Sequence, residues 1–358
     1  MNKNICIVSP SLKMGGIERA LSVLADYFVQ QDCEVTFISA QGGEKFYPLD
    51  EKVLFFEPNF KRKGGIHGKI FFYFSMLLFI RKTVKNQNPD VVLSFGDAFN
   101  PLVLLALLGT KFPVYISDRT SPDFPFNSFI KFGKKWLYPK SAGFIAQTKR
   151  AADYKIKHFG DKLNITIIPN ALKKMIRYDV PEQHQILCAG RLSFEKGPDR
   201  LLNAFSKIND KADWKLIFAG NGPMQKELEK RVQELGLTNK VSFLGNVNNI
   251  DKLMSESAIF ILPSRLEGFP NALCEAMAIG MPSICFDCLA TEDLMEHQKN
   301  GFVVKENDIE GLTETIEMLM KDSVLRKEIG NNAKTIAQKL DASLIGNQIL
   351  DFMYKQTK

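Results

Sequence analysis

Short apolar runs rich in Val, Ile and Phe alternate along the whole chain with longer amphipathic stretches. Runs at 4–8, 34–39, 53–56, 90–94, 114–117, 143–146 and 165–168 predict strands in the first half. Runs at 185–189, 214–219, 241–244, 259–262, 283–286 and 302–304 predict them in the second. Helical patterns lie between most of them, which predicts βαβ units and parallel sheets. The pattern breaks about midway at a polar, Pro-bearing stretch, 173–185, and then restarts with a fresh strand, turn and helix. This predicts two Rossmann-like α/β domains, 1–175 and 183–340, with 173–185 as the linker between them. Ligands of such sheets bind beyond the carboxyl ends of the strands, so two facing domains would share a cleft. Helical sequence runs over 309–340 and again over 342–354. The final segment, 341–358, has no strand partner of its own and is expected to pack back on the first domain.

Length and composition narrow the class. A chain of 358 residues exceeds one ordinary domain, and 45% hydrophobic with 24% charged residues excludes a disordered or fibrous chain. The most apolar run, 70–80, is about half the ~20 residues of a spanning helix. The first residues lead straight into a strand-like run and do not resemble a secretory signal. Of the cysteines at 6, 33, 188, 274, 285 and 288, only Cys285 and Cys288 have ligand-like spacing. They end an apolar strand and lack a second Cys or His pair, so reduced structural cysteines and a cytoplasmic location are expected. Charge is divided unevenly: 26 Lys and Arg against 15 Asp and Glu in residues 1–180, net +11, and 21 against 25 in the remainder, net −4. A basic half suits an anionic surface, a phosphorylated substrate or a nucleic acid.

Four motifs sit where strands give way to helices. Gly15 and Gly16 follow the first strand, and free N–H groups at a helix start favour anions. This is neither GxGxxG nor a Walker A loop, and a turn that merely needs glycine competes with the ligand reading. The second domain opens with Gly190-Arg191-Leu192-Ser193-Phe194-Glu195-Lys196-Gly197. Arg191 and Lys196 at the strand's carboxyl end can hold a diphosphate by charge-assisted hydrogen bonds, although such cations are often simply solvated. Gly220-Asn221-Gly222-Pro223 is a second glycine turn with backbone room for a ligand. The strongest motif runs from Leu262 to Pro282. Glu267 lies in its loop, Phe269 and Pro270 lead into a helix, and Glu275 sits one turn inside among apolar residues. Carboxylates are rarely buried without a partner, so two ordinary glutamates are the weaker reading. The N–H groups of Asn271, Ala272 and Leu273 would face a ligand's phosphates.

The glycine pair, the Gly-Arg-Leu…Glu-Lys-Gly segment, the Gly-Asn-Gly-Pro turn and Glu-x7-Glu occur in one order over nearly the whole chain. This combination resembles the retaining glycosyltransferases of the GT-B fold, family 4. The resemblance implies that Glu267 contacts the donor sugar, Glu275 the nucleotide ribose, and Arg191 and Lys196 the donor diphosphate. Gly15 and Gly16 would lie near the donor phosphates or the acceptor. Members often carry a histidine after the fifth strand of the first domain. Here that place reads Ser117-Asp118-Arg119-Thr120, so either Asp118 or Arg119 is the candidate acceptor contact. The chain looks most like bacterial enzymes that extend lipid-linked or surface glycans, including N-acetylgalactosaminyltransferases of protein glycosylation.

No Asp-x-Asp motif occurs in the sequence, so a metal-dependent transferase is unsupported: cations and helix dipoles are expected to stabilise the leaving diphosphate, with no cofactor beyond a nucleotide-diphosphate sugar, UDP being expected. The acceptor would be a glycan or lipid-linked glycan of polysaccharide, lipopolysaccharide or glycoconjugate synthesis, with no nucleic-acid partner. A UDP-sugar 2-epimerase of the same fold would need further acid/base groups, and His67, His158, His184 and His297 all fall outside the motifs. A phosphorylase would be longer and carry a pyridoxal lysine site. A non-catalytic nucleotide-sugar-binding protein would have no reason to keep the two cations and two carboxylates together. Lys61, Arg62, Lys63 and Lys69 precede the 70–80 run, and Arg81, Lys82 and Lys85 follow it. Lys131, Lys134, Lys135 and Lys140 surround Trp136, Leu137 and Tyr138. Apolar sequence edged by cations and aromatics suits the anionic inner face of the cell membrane; the competing reading is a core helix with solvated ends.

Overall fold

The computed structural model describes residues 3–13, 15–61, 64–287, 291 and 293–355. The chain divides into two compact units, Met1–Ala171 with Ala342–Lys358, and Leu172–Asp341.

The first unit holds β1 (Asn4–Ser9), β2 (Glu34–Ser39), β3 (Leu54–Phe56), β4 (Val91–Phe95), β5 (Val114–Ser117), β6 (Gly143–Ala146) and β7 (Ile165–Ile167). They form one parallel sheet in the order β3-β2-β1-β4-β5-β6-β7. Its helices are α1 (Gly16–Gln30), α2 (Gly65–Gln87), α3 (Asn100–Ala106), α4 (Ser128–Leu137) and α5 (Lys149–Phe159). The second unit holds β8 (Gln183–Ala189), β9 (Lys215–Ala219), β10 (Val241–Phe243), β11 (Ser257–Leu262), β12 (Ser283–Phe286) and β13 (Phe302–Val304). Their order is β10-β9-β8-β11-β12-β13, again all parallel. Its helices are α6 (Pro198–Lys207), α7 (Gln225–Glu234), α8 (Ile250–Glu256), α9 (Asn271–Ile279), α10 (Ile309–Lys321), α11 (Ser323–Ala333) and α12 (Ile336–Lys339).

Each run read as a strand forms one, with ends within two residues of expectation. The runs are nearly unbroken because each sheet is buried on both faces. Successive side chains leave a strand on opposite sides, so β1 sends Ile5 and Ile7 into one core layer and Cys6 and Val8 into the other. Likewise Ile186 and Cys188 of β8 oppose Leu187. Strand order reverses between β1 and β4 in one sheet and between β8 and β11 in the other. Those reversals are where ligands of such sheets bind.

The stretch read as a linker has no helix or strand over 173–182, but it is bonded along the second unit. Lys173 pairs with Asp251, whose other oxygen accepts the Ile176 N–H at 3.1 Å, and Ser255 Oγ accepts from Tyr178 N at 3.0 Å. The described cysteines are all free and buried; Cys288 lies outside the described residues.

The last helix, α13 (Ala342–Tyr354), belongs to the first unit. Ile345, Ile349, Leu350 and Met353 fill the core layer that holds α1, and Tyr115 Oη donates to the Met353 carbonyl at 2.9 Å. Gly346 lies flat against the buried Tyr27 ring, where a Cβ would overlap the ring carbons. Gly346→Ala should therefore lower stability by about 1–3 kcal/mol, although alanine favours helix. Urea unfolding measures it, and a stability gain would contradict this packing.

Candidate functional site

The second unit assembles its polar groups where β8 and β11 end. After Ala189 the chain passes Arg191, which is exposed, and makes a 3-10 turn, Phe194–Lys196. The turn ends on Gly197, in the left-handed region at φ +62° and so close to Pro263 that a Cβ would overlap its carbonyl oxygen. Lys196 therefore sits beside the residues that leave β11. Its Nζ lies 2.7 and 2.8 Å from the two carboxylate oxygens of Glu267. Glu267 is buried, its side chain 3% exposed, and Ser264 Oγ donates to the same carboxylate at 2.7 Å. A buried carboxylate held by an ammonium and a hydroxyl meets the partner requirement for burying charge.

Glu275 lies within α9 and is buried, as expected from its apolar neighbours. That helix starts at Asn271 on a Pro270 cap that offers no side-chain acceptor. Asn271 N donates back to the Phe269 carbonyl at 3.0 Å, and the helix dipole favours negative charge at this start. The side chains of Phe269 and Leu273 belong to the apolar core and anchor the loop there. The loop at Gly220 and Asn221 is held by the turn that follows β8. Gly220, at φ +138°, has its α carbon against the Gly190 carbonyl, and Leu192 N donates to the Asn221 carbonyl at 3.0 Å. The glycine there makes room for a neighbouring turn, and Asn221 is left exposed.

In the first unit Gly15 caps α1 in extended geometry, and Gly16 is its first residue. The Glu18 carboxylate folds back over Gly15 and accepts from Ser11 Oγ at 2.9 Å. A carboxylate already complements this helix start.

Beyond β4 and β5 lies a charge cluster that sequence reading did not assemble. Asp118 is buried, and its oxygens accept from Lys134, Lys155, Tyr138 and Asn100. Asp97 Oδ1 pairs with Lys134 at 2.7 Å, and its Oδ2 accepts the N–H groups of Arg119 and Thr120 at 2.8 and 2.9 Å. Burial works against ionising Asp118, but Lys155 and Lys134 hold it well below the usual carboxylate range. Burial and then the Asp118 charge push Asp97 up to about 6, against the pull of Lys134. The Arg119 guanidinium lies 3.4 Å from the centre of the Phe95 ring and bonds to Asn170; burial lowers it to about 9. Asp118 is thus committed to its neighbours. The sequence signal for the cluster was slight: acids directly after two strands, and Lys134 and Lys155 inside helices.

Lys134 accordingly leaves the surface group to which its sequence neighbours suggested it belonged. Arg81 also turns inward, donating to the Ala106 and Leu108 carbonyls at 2.8 and 3.0 Å. Arg62 and Lys63 lie outside the described residues. The 70–80 run lies within α2 and is half core and half surface. Phe72, Met76, Ile80 and Val84 are buried, whereas Ile66, Ile70, Phe71, Phe74 and Leu78 are exposed along the other side. Phe129, 81% exposed, Phe132 and Trp136 form a similar stripe on α4, beside the exposed Lys131 and Lys135. Both helices pack against α3. Among the described residues no helix is long and apolar enough to cross a membrane.

Residues 14–173 match the family model described as Glycosyltransferase Family 4, and residues 176–336 the one described as Glycosyl transferases group 1. With two parallel-sheet units, these matches make the chain a glycosyltransferase of the GT-B fold. Its relatives include a Campylobacter jejuni protein named GalNAc-alpha-(1->4)-GalNAc-alpha-(1->3)-diNAcBac-PP-undecaprenol alpha-1,4-N-acetyl-D-galactosaminyltransferase. The two are 28% identical over 351 residues, 97% of each chain. The amylovoran biosynthesis glycosyltransferase AmsD of Erwinia amylovora is 26% identical over 344 residues, 93% of this chain and 94% of that one. Anabaena HepE, solved in complex with UDP-glucose, has the same fold, with a TM-score of 0.82 at 20% identity over 98% of this chain and 99% of that one. An isomerase or a non-catalytic binder is not favoured by these likenesses.

The Asp97 shift has a consequence for stability. Its folded-state value, about 6, exceeds the ordinary 3.8, so the folded state takes up its proton first. The stabilisation linked to that proton is full below 3.8 and is lost as pH rises through 6. Asp97→Asn removes this dependence. The stability of wild type relative to Asp97→Asn should fall between pH 4 and 6, measured by denaturant unfolding at each pH. A pH-independent difference would refute the assignment.

Proposed function

We propose that the protein is a retaining glycosyltransferase that moves a hexose or N-acetylhexosamine from a nucleotide diphosphate, UDP foremost, to a glycan or lipid-linked glycan. The observation that carries this is the meeting of Lys196 with Glu267 beside the start of α9. Lys196 can give a hydrogen bond to the β-phosphate while Glu267, which keeps Ser264, accepts from a sugar hydroxyl. Arg191 adds charge at the exit of β8, and the start of α9, at Asn271, Ala272 and Leu273, turns the positive end of its dipole to the phosphates. Glu275 accepts from the ribose hydroxyls.

As the bond between the anomeric carbon and the phosphate oxygen breaks, negative charge grows on the diphosphate. Lys196, Arg191 and the α9 dipole stabilise it, with no metal required. The acceptor oxygen attacks from the face the phosphate leaves and passes its proton to the departing phosphate oxygen. Configuration is retained and no protein base is needed. In the first unit Arg119 is the acceptor contact, because Asp118 is spent on four neighbours.

Two substitutions test the donor roles, both assayed in EDTA. Glu275→Gln should weaken UDP binding by about 1.5–3 kcal/mol in calorimetry. Lys196→Ala should reduce turnover by about 10²–10³-fold. Wild-type UDP affinity in the first, or full turnover in the second, would refute the assignment, and loss of wild-type activity in EDTA restored by magnesium would refute the metal-free mechanism.

The outer stripe of α2 with Lys69, and that of α4 with Lys131 and Lys135, are apolar faces edged by cations, suited to an anionic bilayer where a lipid-linked acceptor resides. The named Campylobacter relative, whose substrate is an undecaprenol diphosphate, supports this reading. Each cation near an anionic surface adds ~1 kcal/mol. The protein should co-sediment with anionic vesicles at low salt, and Phe129→Ser with Lys131→Glu and Lys135→Glu should abolish this. Equal binding by the triple variant would exclude the surface.

A further inference from the structure

The Lys196 turn and the Glu267 loop leave different strands, and something besides their own ion pair must hold them together. Arg265 does so. Its Nη1 and Nη2 donate to the two oxygens of Asp199, in the first turn of α6, at 2.8 and 2.5 Å. Nη1 also donates to the Phe194 carbonyl at 2.9 Å, and the guanidinium lies 4.2 Å from the centre of the Phe194 ring. The backbone repeats the link, because Arg265 N and Leu266 N both donate to the Glu195 carbonyl, at 2.8 and 3.1 Å. Glu195 and Phe194 directly precede Lys196, and Arg265 stands two residues before Glu267. One side chain thus grips both the turn and the helix that follows it.

We propose that Arg265 and Asp199 are positioning residues for glycosyl transfer: their two-bond pair holds the Lys196 turn against the Glu267 loop and sets where the two groups meet the donor. This rests on the reading of Lys196 and Glu267 as donor-site groups. An ordinary surface ion pair would not carry such a role, since exposed pairs are worth little. This one is two-pronged, and the Arg265 side chain is only 19% exposed. Burial alone would raise Asp199; the hydrogen bonds and charge of Arg265 bring it below its ordinary value. Lysine could supply the charge but not the flat fork that reaches Asp199 and Phe194 together. Misplacing reacting groups by about 1 Å costs on the order of 10²-fold in rate, so a modest slackening here would be felt in turnover.

The experiment is a double-mutant cycle of Arg265→Lys with Lys196→Ala, with Asp199→Asn and Asp199→Glu as companions. Turnover is measured by nucleotide release. The donor is chosen from a panel of UDP-, GDP- and TDP-linked hexoses and N-acetylhexosamines by wild-type activity, and UDP affinity and thermal unfolding are measured alongside. Arg265→Lys and Asp199→Asn should each lower kcat by about 10- to 100-fold, with UDP affinity changed less than about threefold. Asp199→Glu should recover part of the loss. In the Lys196→Ala background, Arg265→Lys should cost little more, because a group acting through Lys196 has nothing left to position. Equal losses in both backgrounds, or a kcat loss matched by lost UDP affinity or a collapsed melting temperature, would overturn the proposal and leave the donor site standing. If Lys196→Ala itself kept full turnover, or wild type released no nucleotide from any donor, the donor-site reading would fall and this inference with it.

Discussion

Gly197 places its α carbon against the carbonyl of Pro263, and the arrangement of the polar groups of the second unit depends on that contact. β8 and β11 are neighbours in the sheet, but their exits would diverge if each ended in a turn of its own choosing. The left-handed glycine folds the turn after β8 onto the residues that leave β11. Lys196 then falls on one side of the contact and Ser264 and Glu267 on the other. Glu267 is buried because these partners reach it. Without them the cost of desolvating its charge would expel it to solvent or protonate it. Backbone proximity, ion pair and buried carboxylate are therefore one feature.

The first unit handles charge in another way. Its exits after β4 and β5 sit on a buried cluster in which Lys134 bridges two carboxylates and Lys155 joins one of them. Such clusters add little net stability relative to apolar packing, but removing one member leaves an uncompensated charge. What the cluster supplies is a fixed backbone for Arg119 and Thr120, bonded through Asp97, with Arg119 laid over Phe95. The positive excess that the sequence displays in this half thus has two fates. Lys134 and Lys155 neutralise buried acids, and Lys69, Lys131 and Lys135 remain at the surface beside exposed aromatic and aliphatic side chains.

Much of this was legible in the order of residues. Hydrophobic runs with β-branched and aromatic residues located every strand, because a strand in a parallel sheet buried on both faces needs apolar side chains on both sides. The Glu-x7-Glu spacing marked Glu267 and Glu275, since a carboxylate among apolar neighbours is costly unless something uses it. The Gly-Arg-Leu…Glu-Lys-Gly segment located the turn after β8. Contacts between separate exits were not legible. Glu267 lies 71 residues from Lys196 and Asp118 lies 37 from Lys155, and no periodicity spans such separations.

The sequence by itself determined the class of fold, the number and place of the strands, and the helix starts at which chemistry collects, because these follow from local periodicity and turn residues. Tertiary structure decided which side chains meet. It moved Lys134 from the surface into the Asp97–Asp118 cluster, committed Asp118 to its neighbours, and set the Glu18 carboxylate over Gly15. It gave Gly220 the task of making room for Gly190, and it divided α2 into a buried and an exposed apolar face. The physical reason is the same in each case. Whether a charge or an apolar group is buried, paired or left at the surface depends on what the rest of the chain places within a few ångströms of it.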